Sequence, residues 1–331
     1  MKHMFTRRTM LGTAAIAAAL SLTACGGNVG GGGSQEAFPS KPINVTVGAA
    51  AGGSTDLIAR AVSEGAAEDL GVAMPVVNKP GANGALAIKE VQGKPADGYE
   101  LATLNASLVT ITPLAVGESE AVSLDDVDVI VGLSQDDYVM VASPESGVTN
   151  LDDLAKGQNL TFGTTGVGTG SQLAQALLLK QAEIKGTEVP FDSGAPAVTA
   201  VLGNQVQLAT VQLGEAKAQI DAGKLVPIVV FSTERNKFLP DVPTATEEGY
   251  DIPVSQYRAV VTPKGTPEDV KARLKTAFEN TFKTDAYQQF NEKNLLTPRE
   301  ISGEEVVTEW TALADKYKEL TEKYGVSLKQ N

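Results

Sequence analysis

The sequence contains only one histidine, His3, and one cysteine, Cys25, and both lie near its beginning. An export signal that is cut before Cys25 would remove the histidine. Ser-His-Asp and Cys-His catalysis need an imidazole as proton acceptor, and most zinc sites need His or Cys ligands. These absences argue against an enzyme and against a metal site, and we expect no cofactor. A carboxylate-only or Ser-Lys mechanism stays open.

Basic charge and long apolar runs are also scarce. The formal net charge is −13, and loss of Lys2, Arg7 and Arg8 with the export signal takes it to −16. We expect no nucleic-acid partner, because nucleic acid requires a basic surface. No apolar run after residue 24 reaches the roughly 20 residues that a membrane span needs.

Residues 1–24 have the pattern of a lipoprotein signal peptide. A basic head precedes an apolar run at residues 11–20, which is about half the length of a membrane span. The letters LTAC at residues 22–25 resemble a bacterial lipobox, which would link a lipid to Cys25. An ordinary signal peptide with an incidental cysteine is the alternative, and residues 6–11 also resemble a twin-arginine signal. Residues 25–37 are rich in glycine, which predicts a flexible tether.

The body of the chain alternates strands with helices. Ile43, Val45 and Val47 alternate with polar residues, which predicts a strand. A helix from Ser54 is expected next, with Ser54 or Thr55 as cap and Leu57, Ile58, Ala61 and Val62 on its packed face. Further strands are predicted at 76–77, 99–104, 139–142, 160–163, 206–211 and 226–231, with helices at 85–91, 151–155 and 171–182. This order predicts an α/β fold with open, mostly parallel sheets.

Beyond residue 267 the chain becomes helical, with helices predicted at 270–282, 287–294 and 304–324. Large apolar residues recur at helical spacing in the last of them: Trp310, Leu313, Tyr317 and Leu320. We interpret this stripe as core packing rather than as a cofactor box.

Two loops are candidate binding sites, because in each a strand gives way to a helix across Gly, Ser and Thr. The first N–H groups of a helix lack intrahelical partners, so such a loop can hold an anion without Lys or Arg. The candidate residues are Gly52, Gly53, Ser54, Thr55 and Asp56 in the first loop, and Thr164, Thr165, Gly168, Thr169, Gly170 and Ser171 in the second. An ordinary capped helix start is the alternative for each loop. Neither contains GxGxxG or a P-loop, which argues against NAD and ATP.

Asp56 has two interpretations. A carboxylate in the first turn of a helix is favoured by the helix dipole. The same carboxylate could order the loop or accept a proton or an ammonium group from a ligand.

Several motifs resemble the Bug family, also called TctC-like, which comprises the substrate-binding proteins of tripartite tricarboxylate transporters. They are FPSKPI at 38–43, GGSTD at 52–56, NKPGANG at 78–84, PADGY at 95–99, TGVGTGS at 165–171, VPFDSGAPA at 189–197, AGKL at 222–225, LPDVPT at 239–244 and PKGTP at 263–267. These motifs span nearly the whole body, in the order and at the spacing of the family.

The resemblance implies a two-lobed periplasmic-binding-protein fold, the Venus flytrap of type II, with two mostly parallel sheets flanked by helices. Lobe 1 would comprise residues 38–141 and 260–331, lobe 2 would comprise 142–259, and the hinges would lie near Ala142 and Arg258. A ligand carboxylate would bind between the lobes, at the two loops. The protein would be an extracytoplasmic monomer, anchored by a lipid on Cys25, that delivers a small carboxylate to a tripartite tricarboxylate-type permease. A sensor that presents the ligand to a membrane histidine kinase is the alternative.

Two departures from the family pattern concern the ligand. The family usually has an aromatic residue and then Asp in the strand that follows residues 203–207, whereas this chain has Val211 and Gln212. Gln212 is therefore the nearest polar candidate for the ligand site. The letters GAAA at residues 48–51 also lack the usual Pro-Phe-Pro bulk. Both changes predict a pocket less suited to an amino acid, and the identity of the carboxylate stays open.

Overall fold

The computed structural model describes residues 38–117, 121–157 and 159–329. These residues contain ten strands and eleven α-helices. The predicted signal peptide, Cys25 and the tether lie outside the described residues. Within these ranges, no helix combines the length and apolarity needed to cross a membrane.

The first run of elements follows the predicted order. It consists of β1 Asn44–Val47, α1 Ser54–Leu70, β2 Val76–Asn78, α2 Ala85–Gln92 and β3 Glu100–Asn105. The predicted cap of α1 is wrong, because its N-cap is Gly53 and no side chain caps it. Leu57 is 38% exposed rather than packed, since Ile58 and Val62 occupy the side of α1 that faces the core.

The second run repeats this order after a long strand. First come α3 Ser107–Thr110, α4 Thr112–Ala115, β4 Val127–Ala142 and α5 Leu151–Lys156. The repeat itself consists of β5 Leu160–Thr164, α6 Gly170–Gln181, β6 Gly186–Pro190, α7 Gly194–Leu202 and β7 Leu208–Gln212. The loop before α1 and the loop before α6 therefore have equivalent positions in the two runs.

The remaining elements close the fold. They are α8 Leu213–Asp221, β8 Val226–Val230, β9 Ser255–Pro263, α9 Glu268–Phe282, α10 Asp285–Lys293, β10 Thr297–Pro298 and α11 Gly303–Tyr324. The three helices predicted after residue 267 are confirmed, with ends that differ by a few residues.

One strand joins the two halves of the sheet. The strand order is β2-β1-β3-β9-β4-β7-β5-β6, and β8 and β10 also pair with β4. The outer strands pair in parallel within each run, whereas β4 and β9 are antiparallel to their neighbours. The expected parallel pairing thus holds for the outer strands only. β4 pairs with β9 up to Asp137 and with β7 from Tyr138 onward, so its sheet partner changes between these two residues.

Each half of the sheet has its own hydrophobic core, and α11 packs against both. Trp310 lies in a core cluster with residues of β3 and β9, whereas Tyr317 and Leu320 lie in a cluster with residues of β5 and α6. The interpretation of this stripe as core packing is confirmed. Burial of each such side chain contributes about 1.5–3 kcal/mol, so α11 stabilises both halves.

Candidate functional site

The loop between β1 and α1 presents unpaired backbone donors. Among the hydrogen bonds of the described residues, none uses the N–H groups of Ser54, Thr55 or Asp56, which form the first turn of α1. Gly52 has a φ of 83°, a left-handed conformation that favours glycine, and its N–H donates to Asp56 Oδ2 at 2.8 Å. The loop is therefore folded back onto its own helix, with the first-turn N–H groups left available.

Asp56 orders this first loop. Its side chain is buried, with Asn78 Nδ2 donating to Oδ1 at 2.8 Å and Arg60 Nε donating to Oδ2 at 3.1 Å. Burial raises the pKa of Asp56, but the bonds from Arg60, Gly52 and Asn78 outweigh it and hold that pKa below its ordinary value. Both carboxylate oxygens are occupied within the protein, which favours the interpretation of Asp56 as a residue that orders the loop.

The loop between β5 and α6 has the same backbone design. Gly168 has a φ of 71°, and its N–H donates to Gln172 Oε1 at 2.8 Å. Thr169 caps α6, because its Oγ1 accepts the N–H of Gln172 at 3.3 Å. Ser171 Oγ accepts the N–H of Thr165 at 3.0 Å and donates to Thr210 O at 2.5 Å.

The hydroxyls of the second loop thus bond within the protein. Thr164 donates to Glu188 at 3.2 Å, Thr165 donates to Thr169 at 3.3 Å, and Thr169 donates to the carbonyl of Gly166 at 2.7 Å. The donors that remain for a ligand are backbone N–H groups at the start of α6, since those of Thr169 and Ser171 have no partner among the described residues.

Strand β4 brings the two loops to one face of the sheet. Ser54 Oγ donates to Asp136 Oδ2 at 3.0 Å. Two residues along the same strand, the Tyr138 hydroxyl faces the backbone N–H of Gly170, and a Cβ on Gly170 would lie 2.9 Å from that hydroxyl. Side chains two residues apart on a strand point to the same face. The two predicted loops therefore converge on Asp136 and Tyr138.

A second contact joins the loops from the side of the first run. Thr112 Oγ1 donates to the carbonyl of Gly168 at 3.0 Å, and Asn83 Nδ2 approaches the same oxygen at 3.4 Å. Asn83 belongs to the NKPGANG motif at residues 78–84. This contact holds the second loop against the first half of the sheet.

Arg258 adds a buried cation beside the first loop. It is 2% exposed, its Nε donates to Thr55 Oγ1 at 2.9 Å, and its Nη1 lies 2.7 Å from Asp136 Oδ2. Thr55 Oγ1 in turn donates to Asn105 Oδ1 at 3.3 Å. Arg60 and Arg258 each pair with an acid, Asp56 and Asp136 respectively.

Gln212 ends β7 in register with Tyr138, on the strand beside it. Its N–H donates to Glu215 Oε2 at 3.2 Å, and Glu215 Oε1 accepts the N–H of Gly194 at 3.2 Å. Burial raises the pKa of Glu215 to about 7, although these two N–H bonds favour its charged form. Glu215 thus places a buried carboxyl group against the backbone of Gln212, at the end of β7.

Sequence reasoning missed Asp136, Glu215 and the position of Arg258. The letters QDDYVMVA at residues 135–142 place two acids inside an apolar run, which is a signal that could have identified Asp136. In the described part of the chain, no cluster of His, Cys, Asp and Glu could hold a metal ion. Cavities of about 480 and 190 Å³ lie near Leu160 and near Asn291, away from the two loops. The candidate site is therefore identified by the unpaired N–H groups of the loops and not by a cavity.

Comparisons with known proteins bear on the family and the fold of the chain. A model of the "Tripartite tricarboxylate transporter family receptor" matches residues 58–325. A UPF0065 protein of Agrobacterium vitis is 30% identical over 255 residues, which cover 75% of this chain and 73% of that protein.

Solved structures are similar as well. The periplasmic binding protein BugD is 27% identical, with a TM-score of 0.79 and coverage of 88% of this chain and 100% of that one. MatC from Rhodopseudomonas palustris, solved with bound malate, is 25% identical, with a TM-score of 0.77 and coverage of 86% and 99%. The resemblance and the two-lobed α/β fold are confirmed, and the chain belongs to the tripartite tricarboxylate transporter receptor family, a family of extracytoplasmic solute-binding proteins.

Proposed function

We propose that this protein is a lipid-anchored receptor that binds a small carboxylate between its two halves. The observation that carries the proposal is the convergence of two equivalent loops, each at the start of a helix, on Asp136 and Tyr138. Unpaired N–H groups at a helix start favour an anion through their hydrogen bonds and through the helix dipole. Both loops also follow the carboxyl ends of parallel strands, where α/β proteins bind their ligands.

The strongly acidic body does not oppose an anionic ligand. Charges on the surface are screened by salt over about 8–10 Å, whereas N–H groups in the cleft act at hydrogen-bond distance. The acids nearest the first loop are also neutralised, since Asp56 pairs with Arg60 and Asp136 pairs with Arg258.

Ligand binding would close the cleft by a hinge motion. The lobe boundaries would lie a few residues before those expected from the sequence, with one hinge in β4, where the sheet partner changes after Asp137, and the other at the start of β9, at Ser255. The ligand would stabilise the closed state through contacts that exist only there. The closed protein, held at the membrane by the lipid on Cys25, would deliver the acid to a tripartite tricarboxylate-type permease.

A thermal-shift screen tests the carboxylate. The full chain with Cys25→Ser would be heated with malate, succinate, adipate, citrate, glutamate, benzoate and terephthalate, with the matching amides as controls. A ligand at 100 times its Kd adds about 2.7 kcal/mol, which corresponds to a shift of several degrees. We expect one acid to stabilise the protein and its amide not to do so. Equal stabilisation by acid and amide, or no shift with any acid, would contradict the proposal.

A further inference from the structure

The carbonyl of Gly168, in the second loop, is held by residues of the proposed lobe 1. Thr112 Oγ1 donates to this oxygen at 3.0 Å. Asn83 Nδ2 lies 3.4 Å from the same oxygen and 3.3 Å from Thr112 Oγ1. Thr112 begins α4 and Asn83 lies in the turn before α2, so two separate segments of lobe 1 meet on one carbonyl of lobe 2.

The contact at Gly168 is close and buried. Gly168 has a left-handed φ of 71°, and a Cβ there would lie 3.1 Å from Thr112 Cα and 3.4 Å from Ala115 Cβ. Thr112 is only 5% exposed, and Ala115 and Val167 pack into one hydrophobic cluster. Hydrogen bonds in such surroundings are stronger than bonds in water, and a chain of them is cooperative.

The turn that carries Asn83 has an unusual backbone. Ala82 and Asn83 have φ values of 47° and 55°, in the left-handed region that residues with a Cβ rarely adopt. Such strain persists only where the surrounding structure requires it, and it concentrates at sites that hold ligands. Within the described residues, the side chain of Asn83 makes hydrogen bonds only to Thr112 and Gly168. The strained turn therefore presents its amide to the second loop.

The Gly168 carbonyl shares a peptide group with the N–H of Thr169. A peptide group is planar and trans, so its carbonyl and its N–H point in opposite directions. Thr169 is the N-cap of α6, and its N–H is one of the donors that have no partner among the described residues. Whatever holds the Gly168 oxygen therefore also fixes the direction of the Thr169 N–H.

We propose that Thr112 and Asn83 are positioning residues for ligand binding, which hold the Gly168 carbonyl and thereby direct the Thr169 N–H as a donor to the ligand. This inference rests on the proposed carboxylate function. Thr112 and Asn83 belong to lobe 1 and Thr169 to lobe 2, so the donor is correctly directed only when the lobes are together. Closure of the cleft would then complete the second anion site, and opening would release its hold on the ligand.

A first pair of variants tests the hydroxyl of Thr112. Thr112→Val keeps the shape of the side chain and removes the hydroxyl, whereas Thr112→Ser keeps the hydroxyl. We expect Thr112→Val to raise the Kd for the acid about 3- to 10-fold, which corresponds to the loss of one buried hydrogen bond. We expect Thr112→Ser to bind within about twofold of the wild-type protein. Equal Kd values in the two variants would overturn the inference.

A second pair of variants keeps the inference testable if Thr112→Val misfolds. Asn83→Gly and Ala82→Gly relieve the same backbone strain at neighbouring positions, but only Asn83→Gly removes a donor. We expect both variants to melt within about two degrees of the wild-type temperature. We expect Asn83→Gly to raise the Kd at least threefold and Ala82→Gly to leave it unchanged. A purely structural contact would not lower the affinity while the Tm stays the same.

Two measurements are made on the full chain with Cys25→Ser. Isothermal titration with sodium malate, succinate and adipate gives the Kd of each variant. The amide resonance of Thr169, observed by NMR with ¹⁵N-labelled threonine, gives a readout without ligand. We expect this resonance to shift in Thr112→Val and in Asn83→Gly and to stay in place in Ala82→Gly. An unchanged resonance in both of the first two variants would overturn the inference.

The outcomes separate this inference from the proposed function. If the wild-type protein binds an acid and both Thr112→Val and Asn83→Gly bind it at the wild-type Kd, the positioning role is overturned and the carboxylate receptor stands. If the wild-type protein binds none of the acids, the proposed function fails and this inference fails with it.

Discussion

The loop before α1 and the loop before α6 share one backbone design but use opposite side-chain chemistry. In each, a glycine with positive φ donates its N–H to the side chain four residues later: Gly52 to Asp56 and Gly168 to Gln172. In each, that side chain also contacts a residue of the neighbouring parallel strand, Asn78 of β2 or Glu188 of β6. The equivalent positions thus have equivalent hydrogen bonds.

The carboxylate and the amide are exchanged between the two loops. The first loop has the acid on the helix and the amide on the strand, whereas the second has the amide on the helix and the acid on the strand. Arg60 pairs with Asp56 and lowers its pKa against burial, whereas burial raises the pKa of Glu188 above its usual value. The same loop geometry is therefore held around an acid whose pKa is lowered in the first loop and around an acid whose pKa is raised in the second. With Arg258 beside it, the first loop carries most of the charge of the site.

Loss of the charge on Asp56 should have the largest effect on the free energy of unfolding. We expect Asp56→Asn to lower the free energy of unfolding by about 2–3 kcal/mol, because it weakens charge-assisted bonds to a buried group. Gln172→Ala, at the equivalent position, should cost about 1 kcal/mol. Urea unfolding followed by Trp310 fluorescence at pH 7 measures both changes. The cost of Asp56→Asn should disappear as the pH falls below about 4, since the depressed pKa of Asp56 stabilises the fold only while the carboxylate is ionised. Equal losses in the two variants would mean that charge does not distinguish the loops.

Exchange of the first helical residue should have an intermediate effect. α1 begins with Ser54 and α6 begins with Gly170, so Ser54→Gly and Gly170→Ser make each loop resemble the other. A Cβ on Gly170 would lie 2.5 Å from Tyr138 Cε2, and such overpacking costs about 2 kcal/mol. Ser54→Gly should cost about 1 kcal/mol, since it removes the bond to Asp136. Thermal unfolding of both variants tests whether Gly170→Ser costs more stability than Ser54→Gly. An unchanged Tm for Gly170→Ser would show that Tyr138 does not require glycine at position 170.

Replacement of Glu188, the acid on β6, should have the smallest effect on stability. Unlike the other changes, it should stabilise the protein at pH 7. A raised pKa means that ionisation of Glu188 disfavours the fold, so its stabilising contribution is present below about pH 4 and is lost as the pH rises through the folded-state pKa. Glu188→Gln should therefore raise the Tm at pH 7 by about one degree and leave it unchanged at pH 4. Differential scanning calorimetry at the two pH values measures this. A lower Tm at pH 7 would mean that the second loop also depends on an ionised acid.

Much of the fold could be predicted because local patterns are strong in the outer strands and helices. Ile43, Val45 and Val47 alternate cleanly, and α11 shows its stripe at helical spacing. Strand β6 and helices α7 and α8 were missed, and so were the first part of β4 and all of β9. The inward positions of β4 and β9 include Asp136 and Arg258, so the expected alternation of apolar and polar residues is broken where these strands form the site.

The backbone of the two candidate loops could be predicted from the sequence, whereas the partners of their side chains could not. Both glycine-containing loops were identified, because Gly, Ser and Thr before a helix are a local signal. Ser54, Thr165 and Ser171 are among the candidate binding residues, but their hydroxyls donate to partners within the protein. Which donors stay open depends on how distant strands pack around the loops, and no local pattern reports that.

The sequence alone determines the order of most strands and helices, the family and the two candidate loops, because each of these depends on residues that are close together in the chain. The pairing of Arg258 with Thr55 depends on a contact across 203 residues, and that of Ser54 with Asp136 on one across 82 residues. Only the folded sheet, with β4 shared between its two halves, brings these groups together. Composition argues for an acidic body, whereas the tertiary structure alone buries one cation beside the open N–H groups of α1. Charge at this site is set by which long-range ion pairs the fold can form.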